Sequence, residues 1–232
     1  MNIGEKFHMF QKFWRYRLTS EESGDVKYLL AQNLLGKTVL DVGANKGIYS
    51  YWMSKVVGSD GRVIAFEPQP ELESHLNDLA KSFTLPNVTV VNFALSDKSG
   101  DETLYRTEVG CGGASFTPQD GLEQVTVHRI PLDEYVKRES LTDIAFIKAD
   151  VEGHEIDVFR GAEETLLKYK PTLLFECHHA EAEKGEIFKF LSGIGYDGFF
   201  LRKGKKIHYS QFAEYDYGNA NRQHRNYIFT ST

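Results

Sequence analysis

Two short segments place glycines and a carboxylate where they could hold a nucleoside. In TVLDVGANKGIYS, residues 38–50, a β-branched and aliphatic run ends at Asp41 and the small-residue turn Gly43-Ala44-Asn45-Lys46-Gly47. In RVIAFEPQP, residues 62–70, a second apolar run ends in Glu67, 20 positions beyond Gly47. Glycines let the backbone come close to a ligand, and a carboxylate at the next strand end can hold both hydroxyls of a ribose. The turn lacks the third glycine that nicotinamide enzymes use for close helix–strand packing. No Gly-x-x-x-x-Gly-Lys-Ser/Thr occurs, so a phosphate-cradling loop is not supported. Asp41 adds a negative charge where a pyrophosphate would lie, and that charge suits a cationic ligand. S-adenosylmethionine, with its ammonium, sulfonium, carboxylate and ribose, fits the mixture best.

A second polar cluster lies in DIAFIKADVEGHEIDVFRGAE, residues 143–163, where Asp150, Glu152, His154 and Glu155 follow an apolar run. The next apolar run ends in Glu176-Cys177-His178-His179. Ligands of open parallel sheets sit outside the carboxyl ends of the strands, so both clusters would face the cofactor crevice. The plain alternative is that Asp150 caps the following helix and that Glu152 and Glu155 favour its N-terminus. Asp150, Glu176 and His178 also offer mixed oxygen and nitrogen ligands that could hold a divalent ion. No short metal-spacing motif such as His-Glu-x-x-His accompanies them.

Alternating strands and helices must position these groups. The pattern predicts a helix over 24–35, strand 38–42, helix 47–57, strand 62–66, helix 71–83 and strand 88–95. Further on it predicts strand 144–147, helix 154–169, strand 172–176, helix 180–194 and strands 196–201 and 227–230. Near-continuous apolar strands between helices indicate one doubly wound α/β domain with a parallel sheet covered on both faces. Between 96 and 141 the alternation stops: 102–106 and 123–130 read as a hairpin around the glycine-rich VGCGGASFTPQDG, 109–121. This is either a solvated insertion or a mobile flap, in which case Ser115 and Phe116 would contact substrate.

Composition bounds the class. A chain of 232 residues predicts one large domain with a core that needs no staples. The net charge of −6 gives no electrostatic footprint for nucleic acid or anionic membrane. Cys111 and Cys177 are too few for a disulfide framework. No apolar run approaches a membrane span, and MNIGEKFHMFQKFWRYR lacks the apolar core and cleavage site of a signal peptide, so cytoplasmic residence is expected. Phe7, Phe10, Phe13, Trp14 and Tyr16 make the first segment aromatic; a homodimer contact, a substrate cover and packing on the core are its three readings, and helical spacing favours packing.

DVGANKGIYS, AFEPQP, NFALSD (92–97), KADVEGHE (148–155), GAEETL and PTLLFECHH, in this order, resemble the FkbM-type S-adenosylmethionine-dependent methyltransferases. The resemblance runs from about Lys37 to NYIF at 226–229 and departs at Ala149, where the family more often has a larger aliphatic residue. It implies a class I (Rossmann-like) methyltransferase fold: three layers α/β/α around a seven-stranded, mostly parallel sheet whose last strand is antiparallel. Residues 1–36 would form an N-terminal helical arm and 37–232 the methyltransferase domain, with the insertion at 97–141. It further implies that Asp41, Gly43, Asn45 and Gly47 line the methionine moiety, that Glu67 bridges the ribose, that Ala94, Leu95 and Ser96 flank adenine, and that Asp150 sits near the sulfonium. The acceptor would be a hydroxyl of a sugar, glycolipid or polyketide.

Methyl transfer is an in-line displacement, so the protein must align oxygen, carbon and sulfur and exclude water. An alcohol also needs a general base within hydrogen-bond reach. Asp150, His154, His178 and His179 are the candidates, and adjacent histidines on an extended chain point to opposite sides. Two other classes fit the residues less well. A short-chain oxidoreductase would carry Tyr-x-x-x-Lys, whereas Tyr135 is followed by Val136, Lys137 and Arg138. A non-catalytic nucleoside-binding scaffold would more often have lost Asp41, Gly43 or Glu67.

Overall fold

In the computed structural model, residues 1–19, 23–215 and 224–232 are described; Tyr217, one of the aromatics of the last third of the chain, lies outside them. Helix α1 (Ile3–Leu18) begins in a reciprocal box, the Asn2 side chain accepting from the Glu5 amide and the Glu5 carboxylate from the Asn2 amide. Next come α2 (Ser23–Leu30), β1 (Thr38–Val42), α3 (Ile48–Val57), β2 (Arg62–Phe66) and α4 (Pro70–Ser82), which starts at a proline. β3 (Val88–Val91), β4 (Ala94–Leu95), β5 (Gly100–Arg106), β6 (Glu123–Ile130) and α5 (Leu132–Arg138) follow. Then come β7 (Ile144–Ala149), α6 (Glu155–Arg160), α7 (Glu163–Tyr169), β8 (Thr172–His178), α8 (His179–Lys184) and α9 (Glu186–Gly193). β9 (Tyr196–Arg202), β10 (Lys205–His208), a 3-10 turn (Tyr209–Glu214) and β11 (His224–Ser231) end the described chain.

The main sheet runs in the order β10-β9-β11-β8-β7-β1-β2-β3. β3, β2, β1, β7 and β8 pair in parallel, and β11 inserts antiparallel between β8 and β9. The expected arrangement is thus present with one strand more than seven: β10 folds back on β9 as a hairpin and extends the edge. Period-2 alternation sends side chains to opposite faces. Val39, Val63, Phe146 and Leu174 pack with α1, α2 and α3, whereas Leu40, Ile64, Ile147 and Phe175 pack with α5 to α9. The result is three layers, α/β/α.

Three expected elements are interrupted, each for an identifiable reason. Strand 88–95 splits because β4 leaves the main sheet to pair with β6 of a three-stranded sheet. Helix 154–169 breaks into α6 and α7 at Gly161, where a Cβ would stand 1.9 Å from the Ser96 carbonyl oxygen. Helix 180–194 breaks at Gly185, whose φ of 67° is left-handed. In the first helix, Met9 and Phe13 are buried against Tyr51, Trp52 and Phe83, but Phe7, Phe10 and Trp14 face outward. Tyr196 and Phe200 are core residues, and Tyr209 packs on Phe188 and Phe229.

Candidate active site

Parallel strands all end on one side, and there the structure opens a cavity of about 270 Å³. Its floor is built from the ends of β1, β2, β7 and β8 (Val42 to Asn45, Phe66 to Pro68, Lys148, Asp150 to Glu152, Glu176). Ala94 and Leu95, with Lys12 and Tyr16 of α1, form walls. Leu104, Gly112, Ala114 and Phe116 of the insertion cover it.

Glu67 is 3% exposed and aimed by two backbone donors: the Asn45 amide reaches Oε2 at 2.8 Å and the Gln69 amide reaches Oε1 at 3.0 Å. Burial raises its pKa, opposed by those two amides. Asn45 can serve here because its φ of 45° suits asparagine better than most residues. Gly43 is glycine for another reason. At φ 74° its missing Cβ would sit 1.9 Å from the Asp150 carbonyl oxygen, so the close approach it permits is between β1 and β7. Gly47, also left-handed, packs under Leu76 of α4. Asp41 is one layer beneath the cavity: Oδ2 accepts from Ser50 Oγ at 2.5 Å, Oδ1 is buried without a hydrogen-bond partner, and Lys148 offsets part of the burial that raises its pKa. Ser96 also stays behind the wall, fully buried and bonded to His154.

The second polar cluster is partly regrouped. Asp150 lines the cavity but is held by Lys148 Nζ at 2.9 Å, and Lys148 itself lies over the Tyr49 ring. His154 does not line the cavity: Nε2 meets Ser96 Oγ at 2.9 Å, Nδ1 meets Asp157 at 3.1 Å, and burial lowers its pKa. His178 pairs with Glu152 at 3.4 Å, which raises its pKa to about 9. His179 starts α8 and pairs with Glu183. What reaches the cavity beside Glu176 is His224, whose Nδ1 bonds Glu176 Oε1. The ligand set Asp150, Glu176, His178 is not assembled. Among the described residues, the ligating atoms that converge within 4.8 Å belong to Glu152, Glu176 and His178. Glu176 is bonded to His224, and Glu152 approaches His178 Nε2 only as an ion pair at 3.4 Å, that nitrogen being buried without a hydrogen bond; no step is routed through an ion.

The insertion is fastened over the cavity. Asn45 Nδ2 and Gln69 Nε2 both donate to the Cys111 carbonyl, and Gln69 Oε1 accepts from the Gly110 amide. Arg106, 1% exposed, grips both Glu71 oxygens at 2.8 Å and both Glu123 oxygens at 3.1 and 2.9 Å, and also donates to Gln69. The Arg106 guanidinium holds the Glu71 carboxyl down at about 2. Phe116 lines the cavity, whereas Ser115 is used by its backbone to bridge Tyr105.

The Methyltransferase FkbM domain model matches residues 41–197, two thirds of the chain. The chain belongs to the FkbM methyltransferase family. It is similar to the hexuronic acid methyltransferase AglP of Haloferax volcanii (26% identical over 185 residues, 78% of this chain and 72% of AglP). It is also similar to methyltransferase sdnD of Sordaria araneosa (23% identical, 68% of this chain and 73% of sdnD). Among solved structures, the methyltransferase FkbM from Methylobacillus flagellatus superposes with a TM-score of 0.59 at 18% identity, over 92% of this chain and 47% of that longer one. The Bacillus cereus O-methyltransferase in complex with S-adenosylhomocysteine gives 0.55 at 12% identity, over 100% and 92%. At these identities the superpositions speak for the fold alone.

The protein is thus an S-adenosylmethionine-dependent methyltransferase, and its cavity fits that cofactor. Glu67, already aimed, retains lone pairs for two hydroxyls. Asp41 Oδ1, buried below the turn without a hydrogen-bond partner, is an acceptor that an ammonium could satisfy. Lys148, Gln69, Arg106 and His224 are the methyltransferase's site-building residues that sequence reasoning missed. A lysine inside an otherwise apolar strand, in AFIKAD, was the one signal available for Lys148. Among the described residues, no helix is long and apolar enough to cross a membrane.

Proposed function

We propose that the enzyme methylates a hydroxyl of a sugar-class acceptor, a hexuronic acid being the first to try. In this reading Glu67 takes the ribose hydroxyls, the Gly43–Gly47 turn the methionine end, and Ala94 and Leu95 the adenine. Asp150, fixed by Lys148, lies by the sulfonium. The observation that carries the reading is that Glu176 and His224 line the same cavity as Glu67.

As the acceptor oxygen forms its bond to the methyl carbon, the carbon–sulfur bond breaks and its electron pair leaves the sulfur neutral. The acceptor's proton has to go to a base. With Nδ1–H donated to Glu176, His224 can take it at Nε2, and the carboxylate stabilises the imidazolium that results. Asp25, Asp150, Glu152 and His178 are the other charged groups around this pair. The hydrogen bond that His224 donates to Glu176 raises the pKa of His224. Burial pushes Glu176 up while His224 pulls it down; the rise at His224 governs the pair, because its proton is the one that must leave before it can act as base. The rate should therefore climb with pH through a midpoint above the ordinary 6.5. His154, held by Ser96 and Asp157, takes a structural role in this scheme.

The test is turnover of glucuronic and galacturonic acids, read as S-adenosylhomocysteine formed, in the parent and in His224→Asn. Loss of about 100-fold or more in kcat, with cofactor binding intact and the pH profile flattened, supports the reading. Full activity in the variant removes His224. No turnover of any sugar by an enzyme that binds the cofactor removes the acceptor class.

A further inference from the structure

Helix α1 has two apolar faces, and only one is covered. Met9 and Phe13 are buried against the domain, whereas Ile3, Phe7, Phe10, Trp14 and Leu18 are 90%, 61%, 44%, 37% and 57% exposed. Five of the eight large exposed apolar side chains among the described residues therefore sit on this one helix. At about 100° per residue they fall within an arc of about 80°. Scattered exposed apolar residues are normal, but a contiguous stripe marks an interaction surface.

Charge chooses the partner. α1 carries Lys6, Lys12, Arg15 and Arg17 against a single acidic residue, Glu5, on a chain whose net charge is −6. By helical position Lys6 and Arg17 flank one side of the stripe and Gln11 and Arg15 the other. Arg17 lies over the rings of Trp14 and Trp52, and Lys6 over Phe83. Two copies meeting stripe to stripe would bring these basic rims together and repel. An anionic lipid surface gives the stripe apolar cover and the rims counter-charge at once. An apolar face with Trp, Phe and Leu between Lys and Arg is the composition of a helix that lies in the membrane interface. The net charge of the chain conceals this, because its positive charge is concentrated locally.

We propose that α1 docks the enzyme on anionic lipid bilayers through Ile3, Phe7, Phe10, Trp14 and Leu18. Lys12 and Tyr16, on the opposite face of the same helix, line the cavity, so docking sets that wall of the site one helix diameter, roughly 10 Å, from the lipid. On the methyl-transfer reading, it would bring an amphiphilic acceptor within reach.

Vesicle binding tests docking without any acceptor or cofactor. The probes are phosphatidylcholine vesicles with and without about 30 mol% phosphatidylglycerol, at about 50 and about 500 mM salt. Co-sedimentation with the anionic vesicles only, weakened at high salt, is expected. The tryptophan emission should shift to the blue, and the shift should be lost in Trp14→Phe, because Trp52 packs on Trp14 and is only 4% exposed. Phe7→Ser with Phe10→Ser should raise the lipid concentration for half-binding by about tenfold or more, with melting temperature and S-adenosylmethionine binding unchanged. Equal binding to both vesicles, or none to either at low salt, overturns the proposal. So does a concentration-dependent dimer that the double variant disperses, which would give the face to a second copy. Failure of cofactor binding in the parent enzyme would count against the methyl-transfer reading and leave the docking result standing.

Discussion

Replacing Glu67 by alanine tests its proposed contact with the ribose of the cofactor. The carboxylate is almost fully buried, and each oxygen is already fixed by one backbone amide, at 2.8 and 3.0 Å. Fixed in this way it can accept from two ribose hydroxyls with no rearrangement. Hydrogen bonds to a charged acceptor contribute about 1.5–3 kcal/mol each. Water entering the truncated site recovers part of this, so the expected net loss is about 2–4 kcal/mol, or roughly 30- to 1,000-fold in Kd. The Asn45 and Gln69 amides would be left to that water, for a stability cost of about 1–2 kcal/mol. Calorimetric titration with S-adenosylmethionine and S-adenosylhomocysteine measures the first effect and thermal melting the second. Both ligands share the ribose, so both should weaken by the same factor. Loss under threefold in a folded variant would refute the assignment. Weakening of S-adenosylmethionine alone would also refute it, since that would place Glu67 by the sulfonium.

Gly43→Ala puts a methyl group 1.9 Å from the Asp150 carbonyl oxygen at a left-handed φ. It should cost about 3 kcal/mol or more, lowering Tm by roughly 6–12 °C; a drop below about 2 °C would mean that β1 and β7 do not touch here. Arg106→Leu frees the Glu71 and Glu123 carboxylates and the Gln69 amide beside Glu67, so amide hydrogen exchange at residues 107–121 should accelerate and cofactor affinity fall; unchanged protection would show that other contacts hold the cover. Glu155 is buried, accepts from the Val151 amide, and has its pKa raised to about 8, chiefly by burial. A folded pKa above the unfolded 4.5 means stability present below 4.5 and lost as pH rises through about 8. Tm should therefore decline across that window, and Glu155→Gln should flatten the decline; parallel curves for the two proteins would discard Glu155 as its source.

The parallel half of the sheet was readable because fully buried strands leave continuous apolar runs. Thr38–Val42 and Arg62–Phe66 came out with the same bounds in sequence and structure. The breaks were not readable, since they depend on contacts distant in sequence: Gly161 interrupts a helix because the Ser96 backbone passes against it. The edge hairpin of β10 left too weak a pattern in KGKKIHYS to be assigned. Glu67 and Asp150 follow strand ends, where the sequence places them, and line the cavity. Asp41 and Ser96 belong to the right motifs, but their side chains point beneath the wall. Arg106 was invisible because its partners Glu71, Gln69 and Glu123 come from three separate places and only the fold joins them.

The antiparallel last strand explains how His224, the base proposed above, reaches the cavity. Parallel strands bring their carboxyl ends to the cofactor, so any group they contribute must follow the strand. β11 runs the other way, and its first residue, His224, stands opposite His178 at the end of β8, with Asn226 opposite Glu176. Residues two apart on paired strands share a face, which makes His224 and Glu176 diagonal neighbours. The reversal of one strand thereby lets a histidine at a strand start meet a carboxylate near a strand end. A carboxylate there is raised by burial, and it raises the histidine in turn. The pair is set by register: moving β11 by one residue would turn His224 to the opposite face and leave Glu176 without it. Glu176→Gln should accordingly lower the midpoint of the His224 titration, followed by its imidazole resonance, and a midpoint that does not move would break the link between strand reversal and chemistry.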